Sequence, residues 1–230
     1  MTPLLEASRL SFAFSTRRTV FEDISFTLAR DEKAGLVGAN GAGKSTLLWC
    51  LLGLLKPRGE VRFFGERLTR GHLDRVGVVF QNPEEMLFMP TLLDDLTLPL
   101  LNRGWPAAEA AGRAQEVLQL VELAEFAGSP AANLSLGQRK RAAIAAALAP
   151  KPDLLLLDEP TAELDGRSAR RLADLLESMD VTFLTASHDL AFLRRVTRRL
   201  MVIHEGRIIA DGPTTSVLAD ESRLEQVGLI

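Results

Sequence analysis

The chain has 230 residues, 47% of them hydrophobic and 25% charged, with a formal charge of -3. That size and usage suit one large domain or two small ones, and the acidic balance argues against a life on nucleic acid, whose phosphate backbone selects strongly basic surfaces. The single cysteine, Cys50, sits among leucines and cannot form an internal disulfide, which fits a reducing compartment and a packing role.

The N-terminal segment acquires Glu6 and Arg9 too early to hold the apolar run of a signal peptide. "LEASRLSFAF" and "ISFTLA" alternate as half-buried strands do, whereas "AGLVG" (34–38) is a continuous apolar run and reads as a buried strand. It leads into "GANGAGKST", Gly38 to Thr46, and then into the helical "TLLWCLLGLL". Strand, glycine-rich loop and helix in that order are the context a P-loop needs. Glycines let successive amides of Gly38, Asn40, Gly41, Ala42 and Gly43 curl toward phosphate oxygens, and the helix start adds its dipole. Lys44 supplies a point charge for the β- and γ-phosphates, while the hydroxyls of Ser45 and Thr46 lie at the magnesium and phosphate end.

After "VRFFG", a further half-buried strand, "RVGVVF" (75–80) is a second buried strand, with Gln81 at its end, placed to reach magnesium or a water. The stretch from Met86 to Trp105 is apolar, but Pro90, Asp94, Asp95 and Pro99 interrupt it, so it fails as a membrane span. Between 82 and 138 helical spacing such as Ala110, Ala114, Val117, Leu118 and Val121 replaces strand patterns, which reads as an inserted helical subdomain. It ends at "LSLGQRKRAAIAAALA", where Ser135 and Gln138 form a capping box. The same helix start is also a ready anion grip, and a box alone does not decide between the two.

"LLLLD" (154–158) is a third buried strand, ending in Asp158 and Glu159. In an open α/β sheet, strand ends hold the ligand. Asp158 is placed to hold magnesium through its water shell, and Glu159 to orient or deprotonate an attacking water. The helix after "ELDG" carries Leu172, Leu175, Leu176 and Met179 on one stripe, a core contact. "VTFLTAS" (181–187) is a fourth strand, and His188 follows it within reach of a γ-phosphate. "RRVTRR", Arg194 to Arg199, reads as a solvated helix flank, and "RLMVIHEGRIIADG" as a hairpin. The fold expected is α/β: a mixed, largely parallel core sheet with an antiparallel portion and an inserted helical subdomain.

Taken together, a P-loop (38–46), a glutamine loop (Gln81), a signature (134–138), Asp158-Glu159, "AELD" (162–165) as a D-loop and a switch histidine (His188) resemble, in order, the ATPase subunit of ATP-binding-cassette (ABC) transporters, over nearly the whole chain. The resemblance implies one P-loop NTPase domain over 1–230, with a nucleotide-binding core (1–81 and 139–230) and a helical subdomain (82–138). It implies ATP and Mg2+ as cofactors, and a head-to-tail dimer, with itself or a closely related ATPase, that sandwiches ATP between one P-loop and the other copy's signature. Ser135, Gly137 and Gln138 would then contact nucleotide held by a partner, with Asp165 of the D-loop beside them. The family signature usually has glycine where this chain has Leu136. Phe14 stands for the adenine-stacking aromatic, usually tyrosine, in a chain without tyrosine; Phe12 is the alternative register.

Within the family, "VFQNPEEMLFMPT" is similar to importer ATPases of the energy-coupling-factor, cobalt, nickel or biotin type. That implies a membrane scaffold docking near Gln81–Met89, a substrate-binding membrane subunit engaged indirectly, no nucleic-acid partner, and a peripheral place at the cytoplasmic face. Met86, Leu87, Phe88 and Met89 either line the docking groove or pack internally. An exporter ATPase, or a soluble ABC ATPase acting on nucleic acid or ribosomes, is the alternative.

Overall fold

The computed structural model describes residues 2–15 and 18–230; Met1, Thr16 and Arg17, which the expected 1–230 domain includes, lie outside them. In chain order the N-terminal part runs β1 (Leu5–Ser15), β2 (Arg18–Leu28), β3 (Lys33–Val37), α1 (Lys44–Leu51), β4 (Arg58–Phe63), β5 (Glu66–Arg67) and α2 (Arg70–Leu73). The middle part runs β6 (Val76–Val79), a 3-10 turn at Pro83–Glu85, α3 (Leu92–Asn102), α4 (Ala107–Leu120), α5 (Leu136–Leu148), β7 (Leu154–Asp158) and α6 (Gly166–Ser178). The C-terminal part is β8 (Thr182–Ala186), α7 (Leu190–Val196), β9 (Arg199–His204), β10 (Arg207–Pro213), α8 (Thr214–Leu218) and α9 (Glu221–Gln226).

Two compact units result: Met1–Leu73 with Asp180–Ile230, and Asp74–Met179. In the first, an antiparallel sheet has the order β2-β1-β4-β5. Beside it β9, β3 and β8 run parallel, with β10 closing antiparallel onto β9. The mixed α/β architecture read from the sequence is therefore present. The apolar run of β3 is buried from Ala34 to Val37 because it has a neighbour on each side, as a continuous hydrophobic strand requires. The β9–β10 hairpin turns at Glu205 and Gly206, both at positive φ (46° and 74°), the geometry a tight two-residue turn needs. Arg199 does not belong to a solvated flank: it lies in β9, donates two bonds of 2.6 Å to Asp211, and reaches Glu32 (3.1 Å) and the Thr27 carbonyl (2.8 Å).

In the second unit β6 and β7 pair in parallel, Val76↔Leu154 through Val79↔Leu157. The helices α3, α4 and α5 pack on one another, and the span 82–138 lies wholly within this unit. Ala110, Ala114, Val117 and Leu118 form the buried stripe of α4. Leu172 and Leu176 of α6 are buried and Leu175 is half-buried; the helix ends at Ser178, and Met179, extended just past it, is buried in the core as well. Among the described residues no helix is long and apolar enough to cross a membrane. Cys50 is buried, and desolvation pushes its thiol up to about 12, so it is an unreactive packing group.

Candidate functional site

The first unit contains the phosphate cradle. β3 ends at Val37 and the chain wraps over Gly38–Gly43 into α1, with Ala42 donating back to the Ala39 carbonyl at 3.1 Å. Two of its glycines are required by geometry. A side chain on Gly38 would meet the Ile203 carbonyl at 2.5 Å, and Gly43 sits at φ 101° against Val20. Lys44 is 6% exposed and turns its ammonium into the loop, donating to the carbonyls of Gly38 (2.8 Å) and Ala39 (3.3 Å). The lysine thus braces the loop it serves. Gly43, the N-cap of α1, offers no side-chain cap, and no acidic residue stands in the first turn, so the amides there keep their affinity for an anion.

His188 stands two residues past β8, exposed, on the same edge of the sheet as the cradle. Ser187 donates its N–H to the Leu36 carbonyl (3.1 Å), and Asp189 caps α7 through the Phe192 amide (2.9 Å), which fixes the backbone on both sides of the histidine. Phe14 is 59% exposed near the end of β1 and meets Phe12 edge-on, with ring centroids 5.0 Å apart. Phe12 leans on the buried Phe21 at 6.2 Å. The freer ring face belongs to Phe14.

The second unit carries the acids. Because β6 and β7 are parallel neighbours, Gln81 and the Asp158-Glu159 pair leave adjacent strand ends. Asp158 and Glu159 are 5% and 6% exposed, and Glu159 has φ 44°, a left-handed backbone that is uncommon for a glutamate. A residue that the sequence reading passed over joins them. Lys140 of α5, 2% exposed, donates to the Gln81 carbonyl at 2.5 Å and the Glu159 carbonyl at 3.4 Å. Burial pulls its pKa below the usual lysine range, with Glu163, Glu159 and Asp158 partly offsetting that. Set between Arg139 and Arg141, it gave no sequence signal that separates it from a solvated charge run.

At the start of α5 the capping box is complete. Ser135 Oγ accepts from the Gln138 amide (3.3 Å), and the Ser135 amide donates to Gln138 Oε1 (2.8 Å). The cap occupies the third amide of the helix, and the amides of Leu136 and Gly137 have no intrahelical acceptor to use. Leu136 lines a groove of about 450 Å³ with Gln81, Arg139, Lys140 and Glu163. Asp165 caps α6, accepting from the amides of Arg167 (2.8 Å) and Ser168 (2.9 Å); these hydrogen bonds, those from Ser168 first, hold its carboxyl below the usual range.

Met86–Met89 divides by burial: Leu87 belongs to the core at 7% exposure, while Phe88 is 71% exposed. Asp95, buried in α3, sets this shape by accepting from the amides of Phe88 and Met89 at 2.9 Å each.

The family model described as "ABC transporter" matches residues 21–162. A putative ABC transporter ATP-binding protein of Streptomyces avermitilis is 40% identical over 225 residues, 96% of this chain and 86% of the relative. The cobalt import ATP-binding protein CbiO of Rhodobacter capsulatus is 36% identical over 239 residues, all of this chain and 85% of the relative. Among solved structures, cbiO1 of Clostridium perfringens, described as part of the ABC transporter complex cbiONQ, superposes with a TM-score of 0.87 at 30% identity, covering 100% of this chain and 96% of that one.

Proposed function

Because the chain belongs to the ABC transporter family and is an ATPase subunit whose ATP hydrolysis is coupled to transport, we propose that it powers an importer of a metal ion such as cobalt or nickel, or of a vitamin such as biotin. The observation that carries this reading is likeness over the full chain to a cobalt import ATPase, joined by an exposed Phe88 beside the glutamine loop, an apolar anchor of the kind a docking helix covers. The scaffold docks along Gln81–Met89, the substrate-binding membrane subunit is engaged only through it, and the chain sits peripherally at the cytoplasmic face.

In this reading the loop Gly38–Thr46 and Lys44 hold the phosphates, Phe14 stacks on adenine, and His188 contacts the γ-phosphate. Glu159 accepts a proton from the attacking water. Ser135, Gly137 and Gln138, with Asp165 behind them, face ATP bound by a second copy or a close relative of the chain. The residues this reading assigns to a cation each offer an oxygen: the hydroxyl of Ser45 in the first unit, and the amide carbonyl of Gln81 and the carboxylate of Asp158 in the second. These are hard oxygen ligands. That set fits Mg2+ held jointly by a few protein oxygens and phosphate; when bound, the ion neutralises charge developing on the β- and γ-phosphates.

The test is isolation of the tagged chain from native membranes, with identification of the integral proteins that accompany it and uptake measured with labelled cobalt, nickel and biotin. Loss of uptake of one of these on deleting the gene supports the importer reading. Co-isolation with export machinery, or with ribosomes and no integral protein, overturns it.

A further inference from the structure

Lys140 has lost its water, and its ammonium donates instead to two backbone carbonyls, those of Gln81 (2.5 Å) and Glu159 (3.4 Å). Burying an ammonium is unfavourable unless hydrogen bonds replace its hydration, so the two carbonyls define where it sits. One leaves the end of β6, the other the end of β7. Glu159 is the residue whose backbone needs such help, for its φ of 44° persists only where the surroundings over-determine it. Its carbonyl accepts from the Ala162 amide (3.1 Å) as well as from Lys140. Lys140 also lies in the second turn of the helix that begins at Ser135, a rigid element joining the helix start to both loops.

We propose that Lys140 is a positioning residue for ATP hydrolysis: it ties the glutamine loop to the Asp-Glu strand end and sets Glu159 for its water. This rests on the role assigned above to Glu159, and adds a group that role does not contain. It requires that loss of the two bonds impair turnover rather than nucleotide binding, since the phosphate cradle belongs to the other compact unit.

Lys140→Met keeps the stem but has no donor, Lys140→Arg keeps charge and donors, and Glu159→Gln tests the underlying role. Hydrolysis of MgATP, affinity for ATP and melting temperature are measured for each. In Lys140→Met, kcat should fall at least about tenfold while KM and ATP affinity stay within about threefold, and Lys140→Arg should recover about a third or more of the rate. A kcat within about twofold of wild type overturns the proposal. So does a joint fall of affinity, rate and melting temperature that arginine does not relieve, which marks a packing lysine. Should the methionine variant fail to fold, Lys140→Gln, with one neutral amide, is read by the same criteria, and its failure to fold also overturns the proposal. Normal hydrolysis by Glu159→Gln removes the underlying role instead, whatever the Lys140 variants do.

Discussion

A side chain on Gly137 would place its Cβ 2.8 Å from Ser168 Oγ and 3.0 Å from Ser168 Cβ, so at this glycine α5 packs tightly against the start of α6. Ser168 is not free to withdraw, because its amide and hydroxyl both bond Asp165 at 2.9 Å and 3.1 Å.

Gly137→Ala should therefore destabilise the chain by about 1–3 kcal/mol, the usual range for overpacking, although alanine is the better helix former. Ser168→Gly in the same molecule removes the obstructing atoms and should recover part of the loss. Melting temperatures of the single and double variants check this; a Gly137→Ala protein as stable as wild type would show that the contact yields freely.

Exposure separates the two phenylalanines. Phe14→Ala should weaken ATP binding by about 1–3 kcal/mol, the worth of one aromatic stacked on a base, with Phe12→Ala acting on stability through its contact with Phe21. Nucleotide titrations of both variants decide it, and the reverse pattern would move the adenine contact two residues upstream.

Asp95 links acidity to stability. Burial raises its pKa, against the bonds from Met89 and Phe88 that lower it. The folded chain then binds this proton more tightly than the unfolded chain, so the contribution is fully present below the ordinary aspartate value of about 4 and is lost as pH rises through the raised folded value. Wild-type melting temperature relative to Asp95→Asn should decline over that rise; a difference independent of pH would exclude it.

Signature action in trans has a direct test. Lys44→Ala and Ser135→Arg should each be inactive alone, yet a mixed dimer contains one site with an intact cradle and an intact signature. Trapping of ATP by the mixture above either parent is expected. If tagged mixed dimers form and trap no more than the parents, the start of α5 acts only as a helix cap.

Local chemistry was written in the sequence. The strand-loop-helix around Gly38–Thr46, the run Leu154–Asp158 and the capping box of Ser135 and Gln138 each depend on residues a few positions apart, so composition and spacing sufficed to find them. Tertiary structure decided what depends on remote neighbours. Lys140 reads as one more cation in a basic run until a carbonyl 59 positions earlier arrives beside it. Leu87 and Phe88 are equally apolar in sequence, and packing buried one and left the other to solvent. Gly137 looks like a conformational choice, whereas its φ is negative and the constraint is Ser168 across a helix contact. Which of two neighbouring apolar residues is buried, and which atoms close on a glycine, are properties of pairs that the chain brings together only by folding.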